Sequence, residues 1–229
     1  ETQFQPLAID LIGHGKSDAP EEHTYYTMKA CISQVRTILR QLHVRRAYWM
    51  GYSLGGRVAL QLAVRHPSSV KALVLESTTP GIQDESERSD RKTRDDQLAR
   101  FIEKNSLERF VDLWTQHPIF ESQQRISTEK RKYIKHLRLQ NSSIGLANNV
   151  RGMGRGSMPP VWYNLSSVSK PTLLLAGELD EKHVAIHRQM HNNLKKSELQ
   201  VVAGAGHNIH FERPREFIDI TKQFLLRHK

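Results

Sequence analysis

The six residues Gly51-Tyr52-Ser53-Leu54-Gly55-Gly56 constrain this chain more than any others. The apolar run Ala47-Tyr48-Trp49-Met50 leads into them and a helix-patterned segment, Arg57 to Arg65, leads out. Ser53 therefore stands where a buried strand turns directly into a helix. A turn that tight leaves no room for bulk two residues before or after the serine, which accounts for Gly51 and Gly55. The strained serine projects its hydroxyl outward, in the arrangement called a nucleophile elbow. The helix N-terminus beneath it favours developing negative charge, and the Leu54 N–H is a candidate donor to an oxyanion.

The rest of the chain supplies the surroundings such a turn needs. Leu7-Ala8-Ile9-Asp10-Leu11 reads as a parallel strand ending in the turn-rich Gly13-His14-Gly15-Lys16-Ser17-Asp18. Tyr26 to Leu42 places Met28, Cys31, Ile32, Val35, Ile38, Leu39 and Leu42 on one helical face. After the elbow helix, Val70 to Leu75 is almost continuously aliphatic, as a strand covered on both faces must be. This alternation predicts an α/β fold with a mostly parallel sheet and helices on both faces. From about 80 to 169 the alternation stops, and helical patterns over Asp84 to Lys104, Leu107 to Gln116 and Thr128 to Gln140 predict an inserted helical cap. Strands Thr172 to Ala176 and Leu199 to Ala203, with helices at His183 to Leu194 and from Pro214, restore it. We therefore expect a core formed by 1–79 and 170–229, interrupted by a cap at 80–169.

A serine hydroxyl is a weak base and nucleophile at neutral pH unless an imidazole takes its proton and a carboxylate holds that imidazole. Both follow strands that end on the same rim as Ser53. The first candidate for the carboxylate is Asp180, in Gly177-Glu178-Leu179-Asp180, with Glu178 second; the imidazole is His207, in Gly204-Ala205-Gly206-His207. Arg57 lies four residues after Ser53, about one helical turn on, so its guanidinium can share the serine's face and grip a substrate carboxylate. The net charge of +10, from 34 Lys and Arg against 24 Asp and Glu, fits an anionic small molecule. No nucleic-acid-binding motif accompanies that charge, and no apolar run is long enough to span a bilayer. The lone cysteine, Cys31, rules out an internal disulfide and suits a reducing, cytoplasmic setting.

The order Ser53, Asp180, His207, each after its own strand, resembles the α/β-hydrolase superfamily along the whole chain. Within it, several stretches together resemble the 2-succinyl-6-hydroxy-2,4-cyclohexadiene-1-carboxylate synthases of menaquinone biosynthesis. These are Gly51 to Ala59, Glu76 with Pro80-Gly81, the arginine-rich start of the cap, Trp114 with Pro118 and Phe120, Leu137-Arg138, Gly177 to Lys182, and Gly206 to His210. The resemblance implies a lyase that eliminates pyruvate with no metal and no organic cofactor. It also implies that Tyr52, Arg57, Arg91, Trp114, Arg138 and Lys182 contact the substrate. Arg88 and Arg94 compete with Arg91, because the helical register there is open. A small-molecule serine hydrolase with the same triad is the alternative. His183 stands where the family usually has an aromatic residue. A second oxyanion donor normally comes from a His-Gly loop after an earlier strand, and no such segment precedes Leu7, so we expect a few dozen further N-terminal residues in the native protein.

Overall fold

The computed structural model describes residues 3–229. Four parallel strands, β1 (Ala47–Tyr52), β2 (Val70–Glu76), β3 (Thr172–Gly177) and β4 (Ser197–Val202), pair in that order. Parallel neighbours need crossovers, and helices supply them. Helix α1 (Met28–Gln41) precedes β1, α2 (Leu54–Arg65) joins β1 to β2, and α7 (Glu181–Asn193) joins β3 to β4. The short α8 (Ile209–Glu212) and the long α9 (Pro214–Arg227) close the chain.

Alternation along the strands explains why both faces of the sheet are apolar. Leu73 and Leu75 of β2 and Leu174 of β3 point into one core, formed with α1, α2 and Met190 of α7. Their neighbours Ala72, Val74, Leu173 and Leu175 point into the other, covered by Phe217 and Phe224 of α9. Cys31 is buried in the first core. Burial pushes its thiol up to about 12, so it packs as a small apolar group.

Between β2 and β3 every regular element among the described residues is helical. Four α-helices, α3 (Glu85–Lys104), α4 (Leu107–Thr115), α5 (Thr128–Arg138) and α6 (Ser143–Met153), are accompanied by a 3-10 segment at Pro118–Arg125. Asp84, Ser106, Ser127 and Ser142 each accept a backbone N–H at the start of one helix, and the starts of α3, α4 and α5 fall where the helical patterns of the sequence begin. Ala99, Ile102, Phe110, Val111 and Ala147 form a separate small core there. Helix α6 fastens this layer to the segment before α1. Gly145 lies against the Gly13 backbone, Gly152 lies against Tyr26, and Asn148 Nδ2 donates to Glu21 O at 3.0 Å. Arg151 of α6 pairs with Asp96 and Glu103 of α3, tying the two helices together.

Two expectations need correction. Leu7 to Leu11 is extended but is not a strand. No neighbour supplies a ladder among the described residues, and the turn takes up its polar groups instead: Ser17 Oγ donates to Asp10 O at 2.7 Å and Lys16 N to Asp10 Oδ2 at 3.0 Å. The outer edge of β1 likewise has no partner strand among the described residues, and Met50 is 52% exposed.

The second correction concerns the glycines of the elbow. A Cβ on Gly51 would sit closer to the Gly55 carbonyl carbon and the Gly56 nitrogen than any real Cβ contact allows. A Cβ on Gly56 would meet Thr78 Cβ at 2.7 Å, whereas one on Gly55 would meet nothing within 4 Å. The turn therefore demands Gly51 and Gly56, because the first turn of α2 crosses Gly51 and Thr78 of the loop after β2 crosses Gly56. Gly51→Ala should destabilise the protein by about 3 kcal/mol or more, lowering Tm by roughly 6 to 12 °C. Gly55→Ala should leave Tm unchanged or raise it slightly, because replacing a helical glycine by alanine stabilises by up to about 0.5–1 kcal/mol. Thermal unfolding of the two variants side by side checks this.

Candidate active site

Ser53 is held in a conformation that a non-glycine residue rarely adopts, with φ 47° and ψ −104°. Such backbone strain costs on the order of 1–3 kcal/mol and persists only where neighbours over-determine it. Here they do. Ser53 N donates to Glu76 O at 2.9 Å, and Ser53 O accepts from Arg57 N at 3.1 Å and from Thr78 Oγ1 at 2.8 Å. The side chain is thereby aimed at His207. Ser53 Oγ lies 3.3 Å from His207 Nε2, and His207 Nδ1 donates to Asp180 Oδ2 at 2.6 Å. Leu54 opens α2, so its N–H has no acceptor within the helix and faces the same region.

Asp180 serves two imidazoles. His183, one turn into α7, brings its Nδ1 to within 2.8 Å of Asp180 Oδ2. Its ring stands 4.6 Å from that of His207, centroid to centroid. Burial pushes the Asp180 carboxyl up, but the bonds from His183 and His207 outweigh burial and hold it well below the usual carboxylate range. It is thus an anion that keeps a proton on His207 Nδ1 and leaves Nε2 free to accept one from Ser53. Burial also lowers His183, against the pull of Asp180. Asp180, His183 and His207 are the described residues whose ligand atoms lie close enough, within 4.8 Å of one another, to hold a metal. Both Nδ1 atoms are already committed to the carboxylate. Glu178, the second candidate for the acid, accepts from Gly204 N at 2.8 Å instead.

Behind His183, His187 is fully buried. Its Nε2 lies 3.1 Å from both Thr78 N and Thr78 O, and its Nδ1 has no partner among the described residues. Burial pushes His187 down to about 3.

Around this relay the expected pocket residues occupy three kinds of place. Tyr52 packs its ring 5.2 Å from His207 and 5.1 Å from His210, and burial, then Glu76, raises its phenol well above its ordinary value. His210 is fixed in turn by the buried Glu76, through Nδ1 to Oε2 at 2.8 Å. Phe120 sits 6.1 Å from His207, and the Arg138 guanidinium lies 4.5 Å above the Phe120 ring while donating to Thr115 Oγ1 at 2.8 Å. Trp114 stacks on Phe110 and meets Phe120 edge-on, so Phe120 stands between it and the relay.

The cations gather beyond α2. Arg57 Nη1 donates to Met153 O at 2.7 Å, and burial, then Arg155, pulls its pKa down to about 10. Arg91 Nε pairs with Asp95 Oδ1 at 2.6 Å, and its charge reaches Arg57. Arg88 instead donates to Ile82 O and Gln83 O of the loop before α3, while Arg94 is exposed and its charge reaches Arg155 and Lys182. Lys182 is exposed at the start of α7, and Arg155, then burial, lowers it. Arg155 escaped the sequence reading. It lies outside any helix pattern, and only its placement between two glycines marked it.

A cleft of about 450 Å³ opens beside His207 and Asp180, lined by Pro118, Ser122, Arg125 and Leu179. Ser53 and Arg57 are not among its lining residues.

Residues 1–214 match the family described as the alpha/beta hydrolase fold. A Bacillus subtilis protein provisionally named 2-succinyl-6-hydroxy-2,4-cyclohexadiene-1-carboxylate synthase is 43% identical over 219 residues, which cover 96% of this chain and 80% of that protein. The synthase of that name from Salmonella heidelberg is 30% identical over 96% of this chain and 82% of its own length. Among solved structures, a MenH from S. aureus superposes with a TM-score of 0.92 at 35% identity, covering 96% of this chain and 82% of that one. An esterase from Exiguobacterium antarcticum shares the fold, with a TM-score of 0.79 at 21% identity over 94% of this chain and 79% of that one.

The buried imidazole of His187 gives the fold a pH dependence. Its folded pKa of about 3 lies below the ordinary 6.5, so the unfolded chain binds the extra proton first. Stability is therefore complete above pH 6.5 and is lost as pH falls from there toward 3. His187→Gln keeps an acceptor for Thr78 N and cannot titrate, so its Tm should fall less than that of the parent between pH 7 and pH 5. Equal slopes in a thermal-melt series across that range would remove His187 as the cause.

Proposed function

The chain belongs to the α/β-hydrolase fold family and, within it, to the 2-succinyl-6-hydroxy-2,4-cyclohexadiene-1-carboxylate synthases, and from that premise we propose that it eliminates pyruvate from 2-succinyl-5-enolpyruvyl-6-hydroxy-3-cyclohexene-1-carboxylate in menaquinone biosynthesis. The observation that carries this reading is the pairing of a Ser53-His207-Asp180 relay with a guanidinium, Arg57, one turn along the same helix. An acyl pocket has no use for that charge, whereas a polycarboxylate substrate needs it beside the base.

In this mechanism His207 Nε2 takes the Ser53 proton, and the alkoxide removes a ring proton next to the carbonyl-bearing carbon. Asp180 stabilises the imidazolium that results. Charge passing to the substrate's carbonyl oxygen is met by the Leu54 N–H at the start of α2. The bond from the ring to the enolpyruvyl oxygen then breaks, the ring becomes a conjugated diene, and the departing enolpyruvate takes a proton and ketonises to pyruvate. Ser53 and His207 are returned to their starting state, so proton transfer and charge stabilisation by these side chains complete the reaction. Tyr52, Arg91, Arg138, Trp114 and Lys182 form the walls of the proposed substrate site, with residues 80–169 as its cap. Its proposed setting is the cytoplasm, where the buried Cys31 thiol stays reduced.

A pyruvate-release assay on the enolpyruvyl substrate tests the reading. Ser53→Ala should lower kcat by about 10³-fold or more. Arg57→Ala should lower kcat/KM by roughly 100-fold, with Tm down by a few degrees because the bond to Met153 O is lost. Unchanged kinetics in Arg57→Ala would remove the carboxylate substrate. Fast turnover of p-nitrophenyl acetate with no pyruvate release would favour a serine hydrolase.

A further inference from the structure

The turn after α6 carries an arginine whose backbone is fixed and whose charge is unanswered. Gly154 and Gly156 flank Arg155, and both are pressed against α3: a Cβ on Gly154 would strike Asp95 Oδ2, and one on Gly156 would strike Lys92 N. Gly156 N donates to Asp95 Oδ2 at 3.1 Å, and the turn closes on itself through Met158 N to Gly154 O at 2.9 Å. Two residues earlier, Met153 O holds Arg57. Arg155 is thus clamped between α3 and α2, and its side chain is half-buried.

Asp95 is the nearby anion, and it is spent. It is 2% exposed, with Oδ1 taken by Arg91 Nε and Oδ2 by Gly156 N. Among the described residues Arg155 makes no hydrogen bond and no ion pair. Its charge nevertheless acts on Arg57 of α2, on Lys182 and His183 of α7, and on His117 after α4, and of these the His183 ring stands 4.6 Å from that of His207, centroid to centroid. Arg57, Arg91 and Arg155 therefore share Asp95, the charges of Arg94 and Lys182 lie close by, and Asp180, which reaches Lys182, is already bound to His183 and His207. Like charges held together at partly buried sites destabilise a fold unless a ligand neutralises them.

We propose that Arg155 is a substrate-binding residue that takes a carboxylate of a polyanionic substrate, beside those taken by Arg57 and Arg91, and so sets the preference of this site for a tricarboxylate over a dicarboxylate. The inference rests on the proposed function for the identity of the substrate, but the surplus of cations exists independently of it. Binding of a carboxylate there replaces lost hydration by a bidentate contact, while the free protein bears the repulsion.

The test uses the full chain with Arg155→Gln and Arg155→Lys. With pyruvate release as the readout, Arg155→Gln should raise KM about 10- to 100-fold and change kcat by less than about 3-fold, the split expected when ground-state binding is lost. Arg155→Lys should recover part of the loss. Without ligand, Arg155→Gln should melt at a higher temperature than the parent, a gain that a merely structural arginine would not give. Calorimetric titration with tricarballylate and with succinate supplies a readout independent of turnover. The parent should prefer tricarballylate, and Arg155→Gln should lose most of that preference. An unchanged KM, or equal tricarballylate binding by parent and variant, would overturn the proposal. If the parent released no pyruvate, the lyase reading would fall while the titration still decided Arg155.

Discussion

The backbone of Ser53 is the constraint on which the rest depends. A left-handed serine at the end of a strand has no intrinsic reason to persist, and it does so because three hydrogen bonds from Glu76, Thr78 and Arg57 fix it from both sides. Those partners exist only if β2 pairs in parallel with β1 in the register that sets Tyr52 beside Glu76. The same register places Thr78 beside His187 and Ser53 before His207. The strain at one residue is thus supported by the sheet, and the sheet's parallel order requires the helices that bury both its faces.

Two buried acids divide the histidines of the rim between them. Asp180 binds His183 and His207, and Glu76 binds His210, so each imidazole near Ser53 has its orientation set by a carboxylate or, for His187, by a backbone amide. Tyr52 packs between His207 and His210, and Phe120 covers His207 from the cap side. Such an arrangement holds Nε2 of His207 toward Ser53 without needing substrate to organise it.

Charge is distributed differently. Residues 80–169 have 15 Lys and Arg against 11 Asp and Glu, and four of those carboxylates are in ion pairs: Asp95 with Arg91, Asp96 with Arg100 and Arg151, Glu103 with Arg151, and Asp112 with Lys135. What remains near α2 is a positive excess about Asp95, whose two oxygens bind Arg91 and the Gly156 amide. A fold selected for stability alone would neutralise such a group; a site for an anion leaves it open.

Much of the architecture was legible in the sequence. Period-2 and period-3.6 patterns and side-chain caps act within a few residues, so β1 to β4, α1 and the starts of α3 to α5 could be read locally. The elbow spacing and the loops ending in Asp180 and His207 marked candidates for the same reason. Contacts between distant segments could not be read that way. Gly56 rather than Gly55 is required because Thr78 crosses it. Asp95 meets Arg91 through the register of its own helix, but that it also accepts from Gly156 N depends on how α3 lies against the turn after α6. Arg155 stands in a glycine-flanked turn with no periodicity to expose it, and Leu7 to Leu11 has a strand's composition without a ladder to join among the described residues. Local sequence determines which conformation each segment favours, whereas hydrogen-bond partners and neighbouring charges come from residues tens of positions away, and only the folded chain decides which of them meet.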